Sequence, residues 1–212
     1  MATPKSQRIG IWIIAVVMFA GTLGSFLIMI LSNQNQKIDA AAQKKLNDEY
    51  TKIASDYQAK VDAQSKELSA RYYPDFSQYT SRVAVFDTAG IKEVTKVDLK
   101  TGDGAEIKSD TAYDAYYIGW NPKGVIFDQS IENGALKAPI AGEGLIKGWS
   151  EGVVGMKFGG IRELTIAADK AYGKDGYGDS IPPNTPLKFI VMVIPKVAEV
   201  PVPDLSKYQQ LQ

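Results

Sequence analysis

The side chains that could do chemistry in this sequence are mostly aromatic and carboxylate groups in five short motifs of its second half. In order they are Ala-Tyr-Tyr-Ile-Gly-Trp at 115–120, Val-Ile-Phe-Asp-Gln-Ser at 125–130, Gly-Leu-Ile-Lys-Gly-Trp-Ser-Glu-Gly-Val at 144–153, Asp-Lys-Ala-Tyr-Gly at 169–173 and Ile-Pro-Pro-Asn-Thr-Pro-Leu-Lys-Phe at 181–189. The missing residue types narrow the chemistry further. The chain has no histidine and no cysteine, which excludes Ser-His-Asp and Cys-His triads, imidazole zinc sites, thiolate nucleophiles and disulfides. Taken one at a time, each motif has a plain structural reading. A Trp or Phe in an apolar stretch is usually core, Asp128 reads as a strand end, and Tyr172 before a glycine reads as a turn aromatic. Gly173, Gly176 and Gly178 imitate a phosphate-cradling loop, but no helix signature or Lys-Ser/Thr pair follows, so a nucleotide site is not expected. Acidic and basic residues balance at 24 each, which gives no reason to expect a nucleic-acid partner.

Taken together and in this order, the motifs closely resemble FKBP-type peptidyl-prolyl cis-trans isomerases. The resemblance covers residues 94–197 and implies an α+β fold in which an antiparallel sheet wraps around one short helix, leaving an aromatic hollow between them. It also implies rotamase activity on proline-containing polypeptides, with no cofactor and no metal. Rotation about an X-Pro bond must break amide conjugation against a barrier of ~18–20 kcal/mol, yet no covalent bond is made or broken. A pocket that holds the pyrrolidine ring, dries the amide and favours the twisted geometry is therefore sufficient.

Carried over residue by residue, the resemblance makes Trp149 the pocket floor, with Tyr117, Phe127 and Phe189 as walls. Leu145 and Ile146 close one side, the Ile146 backbone N–H being a donor to a substrate carbonyl. Tyr172 directs its hydroxyl to a carbonyl beside the rotating bond. Asp128 hydrogen-bonds Tyr117 and holds negative charge near the carbonyl carbon. Ile181 lines a flap spanning 174–180, whose flexibility accounts for its glycines, and Tyr177 is a flap residue that contacts substrate. Two departures from the family pattern stand out: Ala138 replaces a usual aromatic, leaving one wall thin, and the loop after Asp128 carries no arginine to pair with it. A non-catalytic module that binds a proline-containing segment through the same pocket is the rival reading.

The elements expected to carry these residues begin at the N-terminus. Length and composition allow one to two domains. Residues 9–31 are apolar and uncharged, long enough for a transmembrane helix, which needs ~20 residues. A cleaved signal peptide competes with that reading, since Ala20-Gly-Thr-Leu-Gly-Ser resembles a cleavage region. Without cysteine a lipid anchor of the lipoprotein kind is excluded. Lys5 and Arg8 lie close to the span, so residues 1–8 are expected in the cytoplasm and the rest outside it, as a single-pass cell-membrane protein.

Residues 32–73 read as a helical stalk. Between Gln36 and Arg71 the chain has no Gly or Pro, and Leu46, Tyr50, Ile53, Tyr57 and Val61 repeat at spacings of three and four. The stripe suits either a solitary spacer or a weak homodimer through a short coiled coil. Pro74 is expected to end the stalk. Residues 74–93 then form a connector with a strand at 83–87, and 94–197 hold short antiparallel strands with one helix near Trp149. Residues 198–212 form a mobile tail.

Overall fold

The computed structural model describes residues 40–205. The expected span at 9–31 and the residues flanking it lie outside that range. Among the described residues no helix is long and apolar enough to cross a membrane. The chain divides into two compact units, and residues 65–198 form the larger one.

Helix α1 (Ala40–Phe76) is built from the Ala-, Lys-, Gln- and Glu-rich segment that favours helix intrinsically. Its first part, in the smaller unit, is stitched by exposed i,i+4 contacts, Lys44 to Asp48 at 2.9 Å and Gln58 to Asp62 at 2.8 Å. Leu46, Tyr50, Ile53, Tyr57 and Val61 are all half-buried. The helix does not stop before Pro74. It runs through the proline to Phe76 and tightens into a 3-10 segment, Ser77–Arg82. A proline near a helix C-terminus costs a hydrogen bond and crowds the preceding turn. Phe76, with no exposed surface, supplies the opposing burial, and Gln78 Nε2 donates to the Pro74 carbonyl at 2.9 Å.

The strand expected at 83–87 is also absent. That segment is extended, but it makes single contacts in place of a ladder: Phe86 N–H donates to Pro122 O at 3.1 Å and Trp120 Nε1 donates to Ala84 O at 3.0 Å.

The remaining elements are β1 (Thr95–Lys100), β2 (Tyr113–Trp120), β3 (Ile126–Gln129), β4 (Ile131–Glu132), β5 (Ala135–Leu136), β6 (Ile140–Ala141), α2 (Lys147–Val153), β7 (Ile161–Ile166), two 3-10 segments (Ala168–Lys170 and Gly173–Asp175) and β8 (Leu187–Pro195). The main sheet is antiparallel in the order β1-β7-β8-β2-β3, with β6 added to β2, while β4 and β5 form a separate hairpin. This is the expected α+β architecture, an antiparallel sheet curved around one short helix.

Side-chain alternation along the strands sorts the core into two layers. Tyr113, Ala115 and Tyr117 of β2 join Leu187, Phe189, Val191 and Val193 of β8 on the face that holds α2. Tyr116, Ile118 and Trp120 join Ile190, Met192 and Ile194 on the opposite face, which Phe76, Tyr72, Tyr73, Tyr79 and Phe86 cover. The end of the helix is thus one wall of the sheet domain. Buried Arg162 holds α2 on the first face: its Nη1 donates to the Gly152 carbonyl at 2.7 Å and to that of Val154 at 3.2 Å, while Nε pairs with Asp98 at 2.6 Å. A cation at these carbonyls satisfies acceptors that a helix end leaves open.

Candidate active site

Between α2 and the concave face of the sheet, four rings meet edge to face. Trp149 projects from α2 and is 2% exposed. Its ring centroid lies 5.6 Å from that of Tyr117 at 84° and 5.3 Å from that of Phe189 at 78°. Phe127 of β3 meets Phe189 of β8 at 5.5 Å and 79°. Such T-shaped contacts place the positive edge of one ring on the negative face of the next.

Gly119 permits the Phe127–Phe189 contact, because a Cβ there would sit 2.6 Å from Phe127 Cζ and 2.7 Å from Phe189 Cε1. The glycine of the first motif is therefore required by the two rings beside it. The indole N–H of Trp149 is occupied internally and donates to the Tyr113 hydroxyl at 3.1 Å. That leaves the indole ring as the part of Trp149 suited to contact a ligand.

The polar groups gather at one rim. The Tyr117 hydroxyl donates to Asp128 Oδ2 in a short hydrogen bond. Burial, then the hydrogen bond and negative charge of Asp128, push the Tyr117 hydroxyl far above its ordinary pKa, and Tyr172 adds to the effect. Asp128 Oδ1 accepts the Gln129 N–H at 2.8 Å and lies 3.9 Å from the Lys137 ammonium. The loop after Asp128 carries no arginine, as expected, and a lysine stands near the carboxylate in its place. Lys137 is brought to it across the β4–β5 hairpin, though with both side chains more than two-fifths exposed the pair is weak.

Tyr172 packs on the aromatic cluster, half-buried, and its hydroxyl too is raised, by burial first and then by Tyr177 and Asp128. Tyr177 stacks on it at 5.1 Å and 26° while remaining 47% exposed. The segment bearing Tyr177 closes on itself, with Tyr177 N–H donating to Ile181 O at 2.7 Å and Ile181 N–H donating back at 3.3 Å. Its glycines serve a turn: Gly176 has φ of +64°, and a Cβ there would lie 2.4 Å from Ile181 O. Asn121 Nδ2 ties the segment to the turn after β2 by donating to Ser180 O at 3.0 Å.

Ile181 is buried in the same core, and Leu145 and Ile146 pack against it at the start of α2. The Ile146 carbonyl receives the N–H groups of Trp149 at 3.0 Å and Ser150 at 3.2 Å. All ten predicted site residues thus fall in one region. Ala138 is exposed and outside the cluster, and Ile140 packs against the core nearby. Sequence reasoning missed Tyr113, Lys137, Ile140 and Ser130. Ser130 ends the second motif, two residues after Asp128, and stands in a bend just past β3. Among the described residues no cluster of His, Cys, Asp or Glu forms a metal site.

An antiparallel sheet packed on one short helix thus gathers four aromatic rings beside a hydroxyl–carboxylate pair. Comparison with known proteins gives that arrangement a family. Residues 103–194 match the family model of the FKBP-type peptidyl-prolyl cis-trans isomerases, and the chain belongs to that family.

An FK506-binding protein of Neisseria meningitidis serogroup B is 40% identical over 98 residues, which cover 46% of this chain and 90% of the relative. A probable FKBP-type peptidyl-prolyl cis-trans isomerase of Haemophilus influenzae is 32% identical over 159 residues, 74% of this chain and 64% of the relative. FK506-binding protein 4 of Rhizopus delemar is 39% identical over 97 residues, 46% of this chain, and this chain spans only 25% of its length.

Proposed function

We propose that this chain is a membrane-tethered prolyl isomerase that accelerates cis-trans conversion of X-Pro bonds in polypeptides folding outside the cytoplasm. The observation that carries the isomerase reading is the aromatic basin with the Tyr117–Asp128 pair at its rim. Trp149, Phe189, Phe127 and Tyr117 offer a pyrrolidine ring a dry seat. The Tyr172 hydroxyl, kept protonated by burial, is a donor for the peptide beside it, while the Tyr117 hydroxyl, whose proton goes to Asp128, offers its oxygen as an acceptor and an orienting dipole.

Desolvating the amide weakens the resonance form that keeps it planar, and fixed dipoles aligned with the twisted state stabilise it selectively. Each tenfold acceleration requires about 1.4 kcal/mol of such selectivity. Membership of the family and the ordered motifs support the activity. The apolar stretch at 9–31, with Lys5 and Arg8 before it, supports the tether and the outward orientation.

The test is an NMR-exchange or protease-coupled assay of prolyl isomerisation on the full chain, with Phe127→Ala as the pocket control. Acceleration abolished by the control supports the enzyme and its pocket together. A folded chain that binds a proline peptide without accelerating its conversion leaves the proline-binding module instead. Protease protection of residues 65–198 in intact cells, followed by digestion once the envelope is opened from outside, checks the orientation. Sedimentation of the full chain as a monomer would support α1 as a solitary spacer.

A further inference from the structure

The Tyr117–Asp128 pair does not hold itself in place. Ser130, 2% exposed, clamps the Tyr117 backbone from both sides: its Oγ accepts the Tyr117 N–H at 2.9 Å and its own N–H donates to the Tyr117 carbonyl at 2.7 Å. The Ser130 carbonyl accepts the Lys137 N–H at 2.8 Å, which anchors the residue whose ammonium faces Asp128. One serine thus touches the main chain of both Tyr117 and Lys137 while lying two residues from Asp128. The ladder is irregular here, since the side-chain oxygen takes an N–H that a carbonyl would otherwise receive.

The same junction extends to the back of the domain. The residue before Lys137, Leu136, donates its N–H to Ser69 Oγ of α1 at 2.8 Å, and both groups are buried. The β4–β5 hairpin is therefore pinned at Ser130 on the site side and at Ser69 on the helix side.

We infer that Ser130 is a positioning residue for the isomerase reaction, setting the reach of the Tyr117 hydroxyl to Asp128 through the Tyr117 backbone. This inference rests on the isomerase reading of the site. Removing the Ser130 hydroxyl leaves a buried N–H without its acceptor, and Tyr117 then shifts to recover a partner. A shift of a few tenths of an ångström at Cα is magnified at the phenol, the far end of the side chain.

The experiment compares kcat and KM of the full chain as wild type, Ser130→Ala, Tyr117→Phe and the double variant. Ser130→Cys serves as a second version, filling the same space with a weak acceptor. We expect Ser130→Ala to lower kcat about tenfold with little change in KM, and to add nothing in the Tyr117→Phe background, because coupled residues do not add. An equal loss in both backgrounds, or an unchanged rate in Ser130→Ala, overturns the inference, as does a loss in Ser130→Cys larger than in Ser130→Ala, since the sulfur keeps a weak acceptor.

The Tyr117 hydroxyl-proton resonance separates this outcome from failure of the isomerase reading. Should the wild type show no acceleration, that reading falls. A hydroxyl resonance present in the wild type and lost in Ser130→Ala still supports the clamp, whereas its persistence in the variant overturns it.

Discussion

Tyr116 and Tyr117 are neighbours on β2, point to opposite faces of the sheet, and have met opposite fates. Tyr117 faces the basin, stands edge-on to Trp149 and gives its hydroxyl to Asp128. Tyr116 faces the back, lies against Tyr72 and Phe76 at ring-centroid distances of 6.0 and 6.5 Å, and its buried hydroxyl has no hydrogen-bond partner. Burial raises both phenols well above their ordinary value of about 10. Only the first is part of a polar arrangement that could act on a substrate. The contrast separates two kinds of buried aromatic: the concave face organises rings around polar groups at a rim, while the back face serves to exclude water. The back face is sealed by the end of α1, so residues 65–76 of the helix are as much a component of the sheet domain as β1.

The largest expected effect comes from uncovering the back face altogether. A chain beginning at residue 77 loses Tyr72, Tyr73 and Phe76 from the layer over Tyr116, Ile118 and Met192. Burial of one large aromatic is worth about 3–5 kcal/mol against alanine, and whole domains are stable by only about 5–15 kcal/mol. Such a chain should show no cooperative urea transition. A transition with an unchanged midpoint would mean that α1 is an appendage after all.

Phe76→Ala reduces the perturbation to one side chain and should cost about 3–5 kcal/mol. Because Phe76 lies on the face opposite the basin, the rate per folded molecule should hold. A rate that falls in step with stability would show that the two faces are not separable.

Tyr117→Phe and Tyr116→Phe remove the same atom from each face and sharpen the comparison. Losing the Tyr117 hydroxyl takes a polar contact from the rim, and the expected cost is about tenfold in rate, or ~1.4 kcal/mol at the transition state. Losing the Tyr116 hydroxyl takes away a buried group without a partner. Urea midpoints should then rise, by about 1 kcal/mol in stability, with the rate unchanged. A destabilised Tyr116→Phe would indicate that its hydroxyl contributes to the fold.

The two faces also differed in how plainly the sequence announced them. Strand β8 is apolar at every position from Phe189 to Pro195, and α2 carries the motif around Trp149 from which a helix is expected. The concave-face residues could be named because ordered motifs of unusual composition carry them. The back layer was hidden by two local signals that tertiary burial overrode. Pro74 argues for a helix end, but Phe76 has no exposed surface in the folded domain, and that burial opposes the local cost of continuing. Residues 83–87 have strand-like composition, but their backbone groups meet Pro122 and the Trp120 indole, so no ladder forms.

One clue was present all the same. Position after position in β8 is apolar, and a strand apolar at successive positions is covered on both faces. Lys137 was missed for a different reason. Its approach to Asp128 depends on the fold of the β4–β5 hairpin, which spacing along the chain does not specify.

The smallest effect concerns an ionic contact that fastens the back layer to the sheet. Glu163 of β7 accepts from Arg82 Nε at 2.8 Å and from Lys188 Nζ at 2.8 Å, with its side chain only 8% exposed. Burial opposes its ionisation, but the hydrogen bonds and charges of Lys188 and Arg82 outweigh burial, so its carboxyl is held below the usual range. A depressed folded-state pKa means that the unfolded chain binds the proton more readily. The contribution is therefore present above the unfolded value of about 4.3 and is lost as pH falls through the lower folded value. Arg82 is 43% exposed, which screens the pair, so Glu163→Gln should cost under about 1 kcal/mol at pH 7. The variant should lose less stability than the wild type when both are acidified from pH 6 to pH 3, as measured by urea midpoints. Parallel acid curves for the two proteins would show that Arg82 and Lys188 do not hold the ionised carboxylate. The 3-10 segment would then be kept on the sheet by its apolar contacts and by the Tyr79 hydroxyl, which donates to the Leu99 carbonyl at 3.4 Å.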